Sequence, residues 1–257
     1  MITFFGSDQY SEIVRSAIIN DGRFELGEKG NLGIVASYGK IISNEEILGF
    51  EYGILNLHPS LLPKYRGASP VQTAILNNEK ETGITIIKID EKVDHGPILA
   101  QVKEIILPTD TSETLYNRLF KIGADLLLQL LPDYLAGRAK LFPQDHTKAT
   151  FTKRLTRDDG KIDWEKPADH NERFIRAMHP WPGAWTEIEM QSTKAPKHQS
   201  SESLPLCCSE AKRIKILKAH LENSKLVLDM VQLEGKNPVT WKQFCEGYPE
   251  LVISLRS

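Results

Sequence analysis

A mostly parallel α/β sheet followed by a smaller β-rich domain is the architecture this sequence predicts, on three observations. Through residues 1–140, short apolar runs alternate with segments of helical periodicity. From Lys140 to Arg157 the pattern turns irregular and basic, as a connection between domains does. Beyond Arg213 apolar and polar residues alternate singly, as in half-buried antiparallel strands. The boundaries read as a first domain over 1–141, a linker over 142–160 and a second domain over 161–257.

The elements follow in order. ITFFG (2–6) has the composition of a buried strand and stops at Gly6-Ser7-Asp8, good N-cap types, after which Ile13, Ala17 and Ile18 recur at helical spacing. NDGRFELGEKGN (20–31) is a connection, LGIVAS (32–37) a second strand ending at Tyr38-Gly39-Lys40, and YGILNLH (52–58) a third. TGITIIKID (82–90), rich in β-branched residues, is a fourth strand, and SPVQTAILN (69–77) before it is helical. The longest helix runs from Thr111 to Leu135, capped by Thr111 and Thr114, with Leu115, Leu119, Ile122, Leu126, Leu127 and Leu130 on one broad face. In the second domain a helix over ADHNERFIRAM (168–178) precedes strands RIKILKAHL (213–221) and KLVLDMVQL (225–233) and a last helix after Thr240. STKAPKHQSSES (192–203) is a low-complexity loop, and no internal repeat is present.

With 40% apolar and 26% charged residues and a net charge of −2, the chain has no global electrostatic reason to bind nucleic acid. The charge is unevenly placed, −4 over residues 1–150 and +2 over 151–257, so the C-terminal part is the better partner for a polyanion. Cys207, Cys208 and Cys245 form neither a disulfide framework nor a CxxC metal spacing and suit a reducing compartment. No stretch reaches the roughly 18 to 20 apolar residues of a membrane span, and MITFFG enters a strand without a leader, so a cytoplasmic protein is expected.

Asn56 and His58, two apart at the end of a strand, turn to the same face. Ligands gather at the carboxyl ends of parallel strands, and the loop holding Asp94 before Gly96-Pro97 is expected at the same edge. An Asn amide can donate to a developing oxyanion, a His can pass a proton near neutrality, and a carboxylate can orient that His. With no Ser in a GxSxG elbow and no nearby Cys, acyl transfer without a covalent protein intermediate fits this set. A bland reading stands beside it: an NxH pair can be an ordinary strand end and an Asp before His-Gly-Pro an ordinary turn residue.

NLHPSLLPKYRGASPVQTAILNNEKETGITIIKIDEKVDHGPIL (56–99) resembles the signature region of the folate-dependent formyltransferases. RGASPVQTAIL, TKRLTRDDGKIDW (152–164) and RFIRAMHPWPGAWTEI (173–188) are similar to the methionyl-tRNA members rather than to the sugar-amine or glycinamide ribonucleotide ones. The resemblance implies a Rossmann-like formyltransferase fold with a small C-terminal OB-like β-barrel that binds tRNA. It implies Asn56, His58 and Asp94 as the catalytic set, 10-formyltetrahydrofolate as donor, initiator methionyl-tRNA as acceptor, no metal and a monomer. It places the donor against Lys40, Ile42, Ser60, Leu61, Leu62, Pro63, Asp90 and Glu91. Arg66 and Lys64 meet acceptor-stem phosphates or form a solvated turn. Lys153, Arg154, Arg157 and Lys161 form a track for tRNA or an ordinary solvated linker. Trp181 and Trp185 read as packing anchors before base-stacking platforms.

The chain departs from that family between Phe24 and Gly33, where ELGEKGN stands in place of at least one βαβ unit, including the loop that grips the acceptor stem. The strand ITFFG is then expected at an exposed sheet edge. A second shortening, with ENS (222–224) as the connection, implies a reduced or open barrel. Two alternatives to the methionyl-tRNA enzyme follow: a degenerate folate- or RNA-binding relative without efficient catalysis, and a sugar-amine formyltransferase.

Overall fold

The computed structural model describes residues 1–190 and 210–249, so the loop at 192–203 and Cys207-Cys208 lie outside the described residues. Two compact units divide the chain, Met1–Leu155 and Thr156–Ser257.

In the first unit β1 (Ile2–Phe5), α1 (Gln9–Asp21), β2 (Leu32–Ala36), α2 (Asn44–Leu48) and β3 (Ile54–His58) are followed by the short β4 (Arg66–Gly67) and α3 (Pro70–Leu76). Next come β5 (Glu81–Lys88), β6 (Ile98–Ile105), α4 (Ser112–Leu135) and β7 (Phe151–Thr152). The sheet runs β1-β2-β3-β5-β6. The first three strands are parallel and β5 is reversed, and since β6 is antiparallel to β5, four of the five point one way. The mostly parallel α/β sheet is therefore present, although β6 was not anticipated.

Its core is Ile34, Ile54, Leu55, Leu57, Ile84 and Ile86 from the central strands, each at most 1% exposed, against Leu115, Leu119 and Leu127 of α4. Each such side chain contributes about 1.5–3 kcal/mol on burial. The buried stripe of α4 also takes in Tyr116, Phe120, Gly123, Ala124 and Leu131, whereas Ile122, Leu126 and Leu130 are only half-buried. The stripe is rotated from the expected one because small residues let the helix lie close to the sheet. Asp8 caps α1 by accepting from the N–H groups of Tyr10 and Ser11, and Thr111 caps α4 through the N–H of Thr114.

β1 is an edge strand, as the shortening predicts, but its edge is covered in part. Ile2 donates to the Glu25 carbonyl at 2.7 Å and accepts from Gly27 N–H at 2.9 Å, while the Thr3 hydroxyl donates to the Gly27 carbonyl and accepts from Gly30 N–H. The remnant ELGEKGN thus acts as a one-residue parallel strand against the edge it was expected to leave bare.

The span expected to be a linker is largely built into the first unit. Phe142 exchanges backbone hydrogen bonds with Ile98, Phe151–Thr152 pairs with Arg66–Gly67, and the unit boundary falls at 155/156 rather than at 141 and 161.

The second unit contains α5 (Ala168–Met178), β8 (Ala184–Met190), β9 (Glu210–Glu222), β10 (Lys225–Leu233), β11 (Val239–Thr240) and α6 (Trp241–Gly247). The strands form an antiparallel sheet, β11-β10-β9-β8, open among the described residues. The shortened connection is a two-residue hairpin at Asn223 and Ser224, whose φ of 49° and 61° are those of a type I′ turn. Ile175, Ile188, Ile214, Ile216, Val231, Leu233 and Phe244 form its core. Among the described residues no helix is long and apolar enough to cross a membrane.

Candidate active site

Asn56 and His58 share one face of β3, between the buried Leu55 and Leu57 that point the other way. Asp94 meets them, though not by the expected route. Because β5 runs antiparallel to β3, the loop after β5 starts at the opposite end of β3 from His58. It reaches the pair by folding back. Gly96 lies so close to the Lys88 carbonyl that a Cβ would stand 1.8 Å from that oxygen, and Asp94 has a φ of 50°. A left-handed non-glycine residue costs about 1–3 kcal/mol and persists only where its surroundings hold it.

They do hold it. Asp94 Oδ1 accepts from Asn56 Nδ2 at 3.2 Å, and Oδ2 accepts from the Gly67 N–H at 2.8 Å. Gly67 has φ 106° and approaches Thr152 so closely that a Cβ would lie 2.5 Å from the Thr152 carbonyl, so only glycine can present its N–H there. Gln144 donates to the carbonyls of Asp94 and Gly96 at 2.9 and 2.7 Å.

His58 is 4% exposed. Its Nε2 lies 2.9 Å from the Tyr65 carbonyl, an atom that only accepts, so Nε2 carries a hydrogen. Nδ1, 3.5 Å from Asp94 Oδ2, is therefore the nitrogen whose proton can come and go. Asn56 uses one of its two amide hydrogens on Asp94 and keeps a second for an incoming oxygen.

The turn after β3 is fixed by Thr85, opposite His58 on β5 and fully buried. Its hydroxyl donates to the Ser60 carbonyl at 2.6 Å and accepts from Leu62 N–H and Gln101 Nε2. Ser60 is itself fully buried and donates to the Lys64 carbonyl, and Leu62 is 3% exposed. These two residues shape the loop, which leaves Leu61 and Pro63 as its half-exposed members. Ile42 is half-exposed, Lys40 lies over the Tyr38 ring at 5.6 Å, Asp90 accepts from His95 Nδ1 at 2.6 Å, and Glu91 is exposed.

Arg66 is corrected. Expected on an exposed basic turn, it is 3% exposed, with Nη2 donating to Gln144 Oε1 at 2.6 Å and to His146 Nδ1 at 2.8 Å. Pairing of β4 with β7 draws it inward. His146 stacks on His95 with ring centroids 3.9 Å apart, and partial desolvation, then His95 and Arg66, lower its pKa. Lys64 is exposed and 3.8 Å from Glu79. Lys153 and Arg154 in the first unit and Arg157 and Lys161 in the second are all exposed, Lys161 paired with Glu187 at 2.8 Å.

Thr85, Gln101, Gln144 and His146 escape sequence reasoning. The one available signal was Thr85, a hydroxyl set among Ile84, Ile86 and Ile87. Among the described residues no group of three or more His, Cys, Asp and Glu could hold a metal.

The formyl transferase family model matches residues 26–131, and that of the formyl transferase C-terminal domain matches residues 154–249. The fold and these two domains together define a formyl-group transferase. A methionyl-tRNA formyltransferase of Roseiflexus castenholzii is 43% identical over 215 residues, which are 81% of this chain and 68% of that protein. The chain spans only about half the length, 48% and 50%, of two further relatives of that name that are 53% and 50% identical. Among solved structures, methionyl-tRNA formyltransferase from Clostridium thermocellum matches with TM-score 0.67 at 20% identity, over 90% of this chain and 97% of that one. HypX from Aquifex aeolicus in complex with tetrahydrofolic acid matches with TM-score 0.69 at 14% identity, over 97% of this chain and 47% of that one. At such identities the likeness is one of fold. The chain belongs to the formyl transferase family, alongside proteins named methionyl-tRNA formyltransferase.

Proposed function

We propose that this chain transfers the formyl group of 10-formyltetrahydrofolate to the α-amine of methionyl initiator tRNA. The observation that carries this reading is the convergence of Asn56, His58 and Asp94 on one face of the sheet, in a family whose relatives bear that name. The amine attacks the formyl carbon, and the carbonyl oxygen becomes an oxyanion. The second Asn56 amide hydrogen stabilises it, and a protonated His58 offers Nδ1–H to the same region. Asp94 holds both side chains in place and accepts, through a water, the proton that the new ammonium sheds. Collapse of the oxyanion then breaks the C–N10 bond, and the leaving N10 takes up the proton that Asp94 received.

The donor is of the folate type, as the family and the tetrahydrofolic acid bound by the HypX neighbour suggest. Half-exposed Ile42, Leu61 and Pro63 offer it apolar contact and Asp90 and Glu91 polar edges, with Ser60 and Leu62 acting through the loop they shape. Lys153, Arg154, Arg157 and Lys161 meet tRNA phosphates as exposed cations, and the second unit is the tRNA-binding domain. The protein works as a cytoplasmic monomer without a metal. The shortening at ELGEKGN favours one competing reading, a folate- or RNA-binding relative that turns over poorly.

The test is incubation with 10-formyltetrahydrofolate and methionine-charged initiator tRNA, with His58→Ala as control and a sugar-nucleotide amine as a second acceptor. Formyl-methionine that disappears in the control supports the reading. Folded protein that binds folate but transfers nothing supports the competing one, and saturable turnover of the sugar amine alone overturns the choice of acceptor.

A further inference from the structure

A cavity of about 320 Å³ opens entirely within the second unit, away from Asn56, His58 and Asp94 in sequence and in unit. Its walls include Arg157, Trp181, Trp185, Arg213, Lys215 and Glu234. That volume is at the low end of small-ligand sites and has room for one flat ring system.

The two indoles differ in what they do. Trp185 is 6% exposed, donates Nε1–H to the Arg157 carbonyl at 2.8 Å and carries the Arg213 guanidinium 4.2 Å from its ring centroid, so it is a packing anchor. Trp181 is 51% exposed between Pro180 and Pro182, with the Arg157 guanidinium 6.0 Å from its ring centroid. A large aromatic ring half open to water beside cations is unlike a core residue. Three cations face one carboxylate, Glu234, across this cavity. Among the described residues none of Arg157, Arg213 and Lys215 forms an ion pair within 4.0 Å, although Glu187, bonded to Lys161, also feels Arg213. A flat apolar platform with an excess of positive charge matches a ligand that joins an aromatic ring to an anion.

We propose that this cavity binds one unpaired nucleotide of an RNA strand, its base stacked on Trp181 and its phosphate held by Arg213 and Lys215. The choice of RNA rests on the acceptor proposed above. An acidic peptide would satisfy the cations but leave the indole face unused. A stacked base is worth about 1–3 kcal/mol by alanine substitution, which is roughly five- to 150-fold in affinity.

The test uses the full chain with two probes, a short single-stranded oligoribonucleotide and initiator tRNA, and follows affinity across a salt series. Trp181→Ala is expected to weaken both by about tenfold, with Trp181→Phe restoring most of the loss. Lys215→Gln should lower the slope of log affinity against log salt by about one. Unchanged binding of both probes by a folded Trp181→Ala overturns the proposal, as does a Trp181→Phe variant no better than alanine. If the wild-type protein neither binds nor formylates initiator tRNA, the proposed function fails, while the oligoribonucleotide probe still decides the cavity.

Discussion

Gln144 donates both of its amide hydrogens to the loop that carries Asp94, one to the Asp94 carbonyl and one to that of Gly96, while its own oxygen accepts from Arg66. A residue from a basic, aperiodic segment thereby sets the position of a carboxylate fifty residues earlier. Gln144→Leu keeps the volume but leaves two carbonyls without partners and takes from the buried Arg66 guanidinium one of its two acceptors, leaving His146 Nδ1. The expected cost is about 2–4 kcal/mol of stability, read by denaturant melts. A fall in kcat of roughly 10- to 100-fold is expected with it, because the loop no longer holds Asp94 at φ 50°.

Thr85 supports the other side of the site. Thr85→Val preserves shape and removes a hydroxyl that serves the Ser60 carbonyl, the Leu62 N–H and Gln101 at once. A loss of about 2–3 kcal/mol is expected. The rise in KM for the folate donor should exceed the fall in kcat, since the substitution loosens the loop bearing Leu61 and Pro63 rather than the catalytic groups.

The edge of β1 gives a stability test apart from the chemistry. Thr3→Val removes the hydroxyl that links Gly27 and Gly30 to the edge, at about 1 kcal/mol. The freed edge should raise the rate of aggregation at constant concentration, followed by light scattering. A variant that melts lower but aggregates no faster would mean that ELGEKGN does not shield the strand.

Acid sensitivity should concentrate at Asp110. Burial alone would raise its pKa, but Arg118, the Leu107 N–H and the Thr114 hydroxyl outweigh it and hold the carboxyl below its ordinary value of 3.8. A depressed folded pKa contributes stability that is full above the unfolded value and is lost as pH falls through the folded one. The wild-type protein should therefore lose stability below about pH 4 more steeply than Asp110→Asn, which begins less stable at pH 7 and has a flatter profile in thermal melts.

Local periodicity made much of this legible. The NxH pair shares a face because strand side chains alternate, and α5 spans the residues its spacing marks. Strand direction was not legible, since β-branched composition is the same in parallel and antiparallel pairs; the reversal of β5 and the strand β6 were therefore missed. Arg66 looks like a surface cation in any local window, and only the tertiary pairing of β4 with β7 buries it. Gln144 stands in a segment with no period, so nothing local separates a buried amide from a solvated one. The face of α4 was misplaced because Gly123 and Ala124 bury more completely than the larger Ile122 and Leu126 beside them.

Asp94→Asn is the most direct test of the central claim. An amide has a single oxygen in place of the two that accept here, so its NH2 must face either Asn56 Nδ2 or the Gly67 N–H, donor against donor. Single-turnover transfer of formyl from 10-formyltetrahydrofolate to methionyl initiator tRNA, compared for folded wild-type and Asp94→Asn protein, is the measurement. The account predicts transfer by the wild type and a rate at least about 100-fold lower in the variant. Transfer at the same rate by both proteins, or none by the wild type, would contradict it.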